Sequence, residues 1–220
     1  MKKYLIAMAL SLVPTVSFGA DYQNFISSNS LGKDVHILNK KYKIGLKLSE
    51  KEWGDNGRLY QTPESAKCFV SVETTKRAKI KSISIWGNKD CQFGTTSPLN
   101  YQVDKMTMRD ILNQVKPNEV YIQIGCFNCP SRIEITDNLI VEKDNYRILF
   151  EVDGYHRESH IALSKLLFGK YEEDKHFEYM DKLDELFRND PRLFERDDVK
   201  KLLFKQFIDH KIHTYTISRF

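Results

Sequence analysis

Cys68-Phe69-Val70-Ser71-Val72-Glu73 and Ile80-Lys81-Ser82-Ile83-Ser84-Ile85-Trp86 decide how this chain folds. Both runs alternate apolar and polar residues. That period of two puts the apolar side chains of an extended strand on one face. Thr74 to Lys79 between them is a short polar link, so the two runs predict a hairpin. The polar halves of both runs predict an antiparallel sheet covered on one side only.

Working outward, Asp34 to Ile44 reads weakly as extended structure. Ser49 with Glu52 three residues later has capping-box spacing ahead of Trp53, which predicts a short helix stopped by Gly54-Asp55-Asn56-Gly57. Thr107 followed by Asp110 predicts a helix to about Val115, which Pro117 ends. Val120–Ile124, Arg132–Ile135, Leu139–Val141 and Tyr146–Val152 are strand candidates. After Gly154 the spacing turns helical. Ile161, Leu163, Leu166 and Leu167 form one stripe, closed by Gly169. Phe177, Met180, Leu183, Leu186 and Phe187 form a second, and Val199, Leu202, Leu203, Phe207 and Ile208 a third, with Asp190-Pro191 as a helix start between them. These stripes are expected to pack against the sheet or each other. The expected fold is α+β: an antiparallel sheet with short helices in the N-terminal two-thirds, then a helical C-terminal segment packed on it. The expected organisation is a leader over 1–20, a sheet domain over 21–154 and a helical region over 155–220, the last separate or part of the same domain.

The leader is read from Lys2 and Lys3, the nine-residue apolar run Leu5–Val13, Pro14, and the small residues of Ser17-Phe18-Gly19-Ala20. This order predicts a cleaved secretory signal peptide. The run is shorter than the roughly 20 residues a bilayer span needs, so no membrane span is expected. A short Lys-Lys start suits bacterial export, so the periplasm is the expected location, with secretion as the other outcome. Of the formal charge of +4, two units leave with Lys2 and Lys3. The remainder is spread evenly: 19 basic and 17 acidic residues over 21–154, 13 and 13 over 155–220. Without a basic patch and interleaved aromatics, a nucleic-acid partner is not expected.

Export sets how Cys68, Cys91, Cys126 and Cys129 are read. An even count in an oxidising compartment favours disulfides, with three pairings possible. The simplest joins Cys68 to Cys91, flanking the hairpin, and Cys126 to Cys129. Cys126-Phe127-Asn128-Cys129 also has redox-centre spacing, which makes a thiol-disulfide oxidoreductase the alternative function. A low thiol pKa there needs a helix start at the first cysteine. Ser131-Arg132-Ile133-Glu134-Ile135 alternates like a strand instead. Zinc is disfavoured by the compartment and by the 22-residue spacing of the other two cysteines.

His156 and His160, four apart, are weak metal candidates. Glu158 lies about 200° from His156 on a helix and cannot serve a metal held there. His210 and His213 form a second pair, expected near a fraying C-terminus. Glu151 and Asp153 end a strand, where Asp153-Gly154 reads as a turn. Trp53 and Trp86 read as core or sheet-face residues. A small-ligand carrier would gather Trp86, Tyr121 and Phe127 around a pocket. No nucleophile elbow, phosphate-binding glycine loop or Ser-x-x-Lys occurs, and no cofactor is expected.

Tyr42-Lys43-Ile44-Gly45-Leu46-Lys47-Leu48-Ser49-Glu50-Lys51-Glu52-Trp53 resembles the opening of small envelope domains of the outer-membrane-assembly lipoprotein type. Those read Ile-Gly-Met-Ser-x-x-x-Val ahead of a helix and a three-stranded sheet. The resemblance implies a binding module and carries no site residues to this chain. Together these readings give an exported, non-catalytic protein that binds another envelope or secreted protein.

Overall fold

The computed structural model describes residues 20–54, 56–86, 91, 94–95, 98–102, 105–123, 138–143, 145–152, 157–190, 192–193 and 196–219. Its strands are β1 (Lys47–Trp53), β2 (Gly57–Gln61), β3 (Phe69–Thr74), β4 (Ile80–Trp86), β5 (Gly94–Thr95), β6 (Tyr101–Gln102), β7 (Val120–Gln123), β8 (Asn138–Lys143), β9 (Tyr146–Val152) and β10 (Ile212–Arg219). Its helices are α1 (Tyr22–Phe25), α2 (Val35–Tyr42), α3 (Met108–Leu112), α4 (Arg157–Phe168), α5 (His176–Asn189) and α6 (Asp197–Phe207). Eight strands form one sheet in the order β1-β2-β3-β4-β10-β9-β8-β7, every pair antiparallel, while β5 and β6 make a separate ribbon. The fold is α+β, as the alternating runs and the later helical stripes require.

The hairpin β3–β4 forms where the alternation places it, with Val70 opposite Ile85 and Val72 opposite Ile83. These four side chains are fully buried. Across β10 and β9 the same face continues through Tyr215 and Ile217 to Phe150 and Ile148, also fully buried. Tyr101 closes over this row, stacked on Tyr215 at 5.4 Å and edge-on to Phe150 at 5.5 Å. Helix residues Leu163, Leu183, Phe187, Val199 and Leu203 belong to the same core, as do Phe25, Val35, Met108 and Ile111.

The other face has a different composition. Strand register lines up Ser71, Ser84, Thr216 and Leu149 in one row, Glu73, Ser82, Ser218 and Arg147 in the next, and Phe69, Trp86, Thr214 and Glu151 on the other side. Leu59 and Ile140 share this face and are buried, yet neither joins the core. Phe69, Trp86 and Leu149 are likewise absent from the side chains packed against it. Among the described residues the helices pack on the first face; on this one Trp53 and Trp86 stay exposed, while Leu59, Ser71, Ile140 and Thr214 are buried.

Three expectations need correction. Asp34–Ile44 is not extended: Val35–Tyr42 is helical, because the Asp34 carboxylate caps it by accepting from the His36 and Ile37 N–H groups at 3.0 and 3.4 Å. Lys43 takes the left-handed conformation at its end, and the Asn39 amide latches the next turn to Gly45 and Leu46. Ser49–Glu52 does not cap a helix. Lys47–Trp53 is an edge strand, exposed along its length, so the stretch resembling the lipoprotein domains does not lead into a helix here. The glycines expected to end that helix close the β1–β2 hairpin, with Trp53 opposite Gly57. A Cβ on Gly57 would meet the Thr74 carbonyl at 2.5 Å, so only glycine fits. Last, the C-terminus does not fray. His213 lies within β10, a central strand, and His210 just before it, its carbonyl accepting from the Met108 N–H at 3.3 Å.

The helical region departs in detail. The Asp190 carboxylate accepts from the Arg192 N–H at 3.2 Å, but the helix that carries the third stripe starts only at Asp197. Thr107 and Asp110 form the expected capping box. Arg132–Ile135 falls outside the described residues. No helix among the described residues is long and apolar enough to cross a membrane.

Cys68 and Cys91 form a disulfide with Cα atoms 4.7 Å apart, flanking the hairpin, which excludes both crossed pairings. Closing that ring restrains the unfolded chain by about 3.4 kcal/mol on loop entropy. Replacing both cysteines by alanine is expected to lower unfolding stability by about 3 kcal/mol in urea denaturation, with the slope nearly unchanged.

Candidate functional site

Where α4 begins, the chain returns through a single 3₁₀ turn, Glu173–Lys175, directly into α5. The first turn of α4, this turn and the first turn of α5 enclose an open groove of about 530 Å³ lined by Arg157, Glu173, Asp174, His176, Phe177 and Met180. Gly169, at φ +73°, takes the left-handed conformation that lets the chain leave α4. Lys170, Glu172 and Lys175 pair in the connection, and these two lysines, Lys175 first, hold the Glu172 carboxyl down to about 2.

The buried side of α5 is His176, Tyr179, Leu183, Asp184 and Phe187, spaced three, four, one and three apart. Phe177 falls about 100° from His176 around the helix and points off that face. It is 67% exposed. The second stripe thus packs with its phase one residue from the expected one, which turns Phe177 outward beside Met180. Neither the groove nor His176 was marked by any sequence motif. The only signal was an aromatic at the start of the stripe, which packing logic assigned to the core.

His176 is buried and held from several sides. The Tyr171 hydroxyl lies 3.0 Å from its Nδ1, and the His160 ring stands edge-on to it at 6.3 Å. The Phe177 ring lies at 5.6 Å. Arg157 pairs with Glu173 across the groove mouth. Burial lowers the pKa of His176, the Arg157 charge lowers it further, and Glu173 opposes them. Arg157 and Glu173 make a charged side of the groove, while Phe177 and Met180 make an apolar one, Phe177 standing out at its edge.

His160, one of the two metal candidates, is buried in α4 against this groove, and His156 lies outside the described residues. Glu158 is exposed while His160 is buried, so the two sit on opposite sides of α4. No group of three or more metal-ligating side chains occurs among the described residues. Cys126 and Cys129 lie outside them, as do Phe127, Asp153 and Gly154. Glu151 is described. Burial raises its pKa, against a hydrogen bond with Thr214 that lowers it.

Of the carrier grouping, Phe127 lies outside the described residues and the other two are far apart in the sheet. Trp86 on β4 and Tyr121 on β7 are separated by β10, β9 and β8, which places their backbones about 19 Å apart at 4.8 Å per strand. Glu73 and Glu151, two carboxylates on the sheet face opposite the core, are three strand spacings apart across the sheet and four residues apart along it, about 19 Å. A pair acting on one glycosidic bond stands roughly 5–9.5 Å apart. Comparison with protein families, curated proteins and solved structures finds no match.

Because the folded state lowers the His176 pKa, folded and unfolded chains are both neutral there above pH 6.5, and its effect on stability vanishes. Below that value the unfolded chain takes the proton first, so stability falls with pH. His176→Gln, which keeps a polar partner for Tyr171, is expected to flatten the loss of thermal stability between about pH 6.5 and pH 5. Thermal melts across that range, compared with the parent chain, check this.

Proposed function

We propose that this chain is an exported, non-catalytic protein of the bacterial periplasm that binds another envelope or secreted protein, in the manner of an inhibitor, an immunity protein or an assembly factor. The observation that carries this reading is Phe177, 67% exposed beside Met180 at a groove with a charged side. A large apolar side chain held out on a helix, next to a concavity, is the composition of an interface anchor. The Arg157–Glu173 pair at the mouth favours a partner that brings both an apolar side chain and a charge. The leader and the Cys68–Cys91 disulfide support an oxidising compartment.

A photo-crosslinking residue placed at position 177 in the full chain tests this directly. In cells that export it, one discrete protein adduct is expected in the periplasmic fraction, and Met180→Asp should abolish it. Absence of any adduct at 177, with the protein retained in the cytoplasm, contradicts the reading.

A further inference from the structure

The sheet face opposite the core carries its own recognition chemistry, independent of the groove. Trp53 and Trp86 are 38% and 39% exposed and lie at opposite ends of β3 on that face. Trp86 is opposite Phe69 at the start of β3, with ring centroids 5.3 Å apart. Trp53 reaches the far end of the same strand, where its Nε1–H donates to Glu73 Oε1 at 3.0 Å. Phe69 and Glu73 are four residues apart, about 13 Å along the strand, and the two tryptophans sit on β4 and β1, so the line between the aromatic sites runs obliquely across the strands. Between them lie the half-buried Ser82, Ser84, Thr216 and Ser218, with Thr216 donating to Ser84 at 2.9 Å, and the buried Ser71.

We propose that this face binds a neutral, extended glycan chain of β-linked pyranose units. A pyranose ring presents C–H groups above and below its plane and hydroxyls around its edge. The C–H side packs on an aromatic face, and the hydroxyls need groups that both donate and accept, which serine and threonine supply. Two aromatic sites roughly 13 Å apart along the strand require an extended chain rather than a single sugar ring to engage both. The charge on the face fits a neutral polymer: Arg147 pairs with Glu142, Glu151 bonds Thr214, and Glu73 holds Trp53. A polyanion would find no cationic track here. A second copy, or an apolar protein surface, would need a contiguous apolar patch, whereas hydroxyls separate these rings. Every floor residue sits on a central strand, so the surface is already in its binding shape. The spacing of Glu73 and Glu151 makes this a face that holds a glycan without cleaving it.

The chain contains two tryptophans, and both lie on this face, so its tryptophan emission reports on this surface alone. Chitohexaose and cellohexaose should be titrated separately into the purified full chain, with heparin as the anionic control. A saturable emission change with at least one neutral hexasaccharide, and none with heparin, is expected. Trp53→Ala should weaken that binding by about tenfold or more, read from the remaining Trp86, whereas Trp53→Phe should retain most of it. Phe177→Ala, at the groove, should leave it unchanged, which separates this proposal from the protein-binding reading. The proposal is overturned if neither hexasaccharide alters emission at millimolar concentration or if heparin alone does. It is also overturned if Trp53→Ala binds as the parent does while melting at the same temperature, or if the face proves to be a dimer contact that Trp86→Ala dissociates.

Discussion

The structure depends on the antiparallel seating of the last strand, Ile212–Arg219, between Ile80–Trp86 and Tyr146–Val152. Without it the sheet is two pieces, one of four strands and one of three. Tyr215 and Ile217 fill the core between Ile85 and Ile83 on one side and Phe150 and Ile148 on the other, so the strand joins the two pieces by packing as well as by backbone hydrogen bonds. The entry to the strand is held too. The Tyr101 hydroxyl donates to the Ile212 carbonyl at 3.0 Å, and Ile212 N–H donates to the Met106 carbonyl at 3.1 Å. Arg109 grips Asp209 through two nitrogens in the preceding turn. The three long helices become an excursion between neighbouring strands β9 and β10. Their groove and the sheet face opposite the core are positioned by the same central strand.

Pairing residues so far apart in sequence has a folding cost. Ser84 and Thr216, partners across the sheet, are separated by 132 positions, and contacts of that range are slow to form because the chain between them must be ordered first. The disulfide and the N-terminal segment work locally on β4 meanwhile. Gly32 and Val35 donate to the Ile80 and Ala78 carbonyls at 2.8 and 2.9 Å, and Ile80 returns a bond to Lys33. The outer edge at β1 is protected differently: Lys47, Glu50, Lys51 and Glu52 charge it, and two register shifts bend it, both of which discourage another chain from adding a strand.

What could be read from the sequence was what rests on local pattern. The β3–β4 hairpin, the Thr107–Asp110 cap and the end of α4 at Gly169 are all set by residues within a few positions of each other, whereas the α4 stripe was read only in part: Leu163 is buried with Ser159, His160 and Ser164, and Leu166 is exposed. The errors came where two local signals compete or where a distant partner decides. Asp34 was a cap hidden beneath weak alternation. Ser49–Glu52 has helix-start spacing, but Gly57 must lie against Thr74, and that contact makes the segment a hairpin arm. Ile212–Arg219 was missed as a strand because its partners on β9 lie 60 or more positions upstream. Its alternation, Ile212, Thr214 and then Tyr215, Ile217, breaks phase at the irregularity between Ile212 and Thr214. For the site, Cys68–Cys91 was legible from its place beside the hairpin. The groove was not, because exposing Phe177 depends on a shift of one residue in helix phase.

Native-state amide hydrogen exchange of the full chain, resolved by peptide, tests the role of the last strand most directly. The account predicts that Thr214–Ser218 exchange as slowly as Ile80–Trp86, both limited by global unfolding. Rapid exchange across Thr214–Ser218, with β4 still protected, would contradict it.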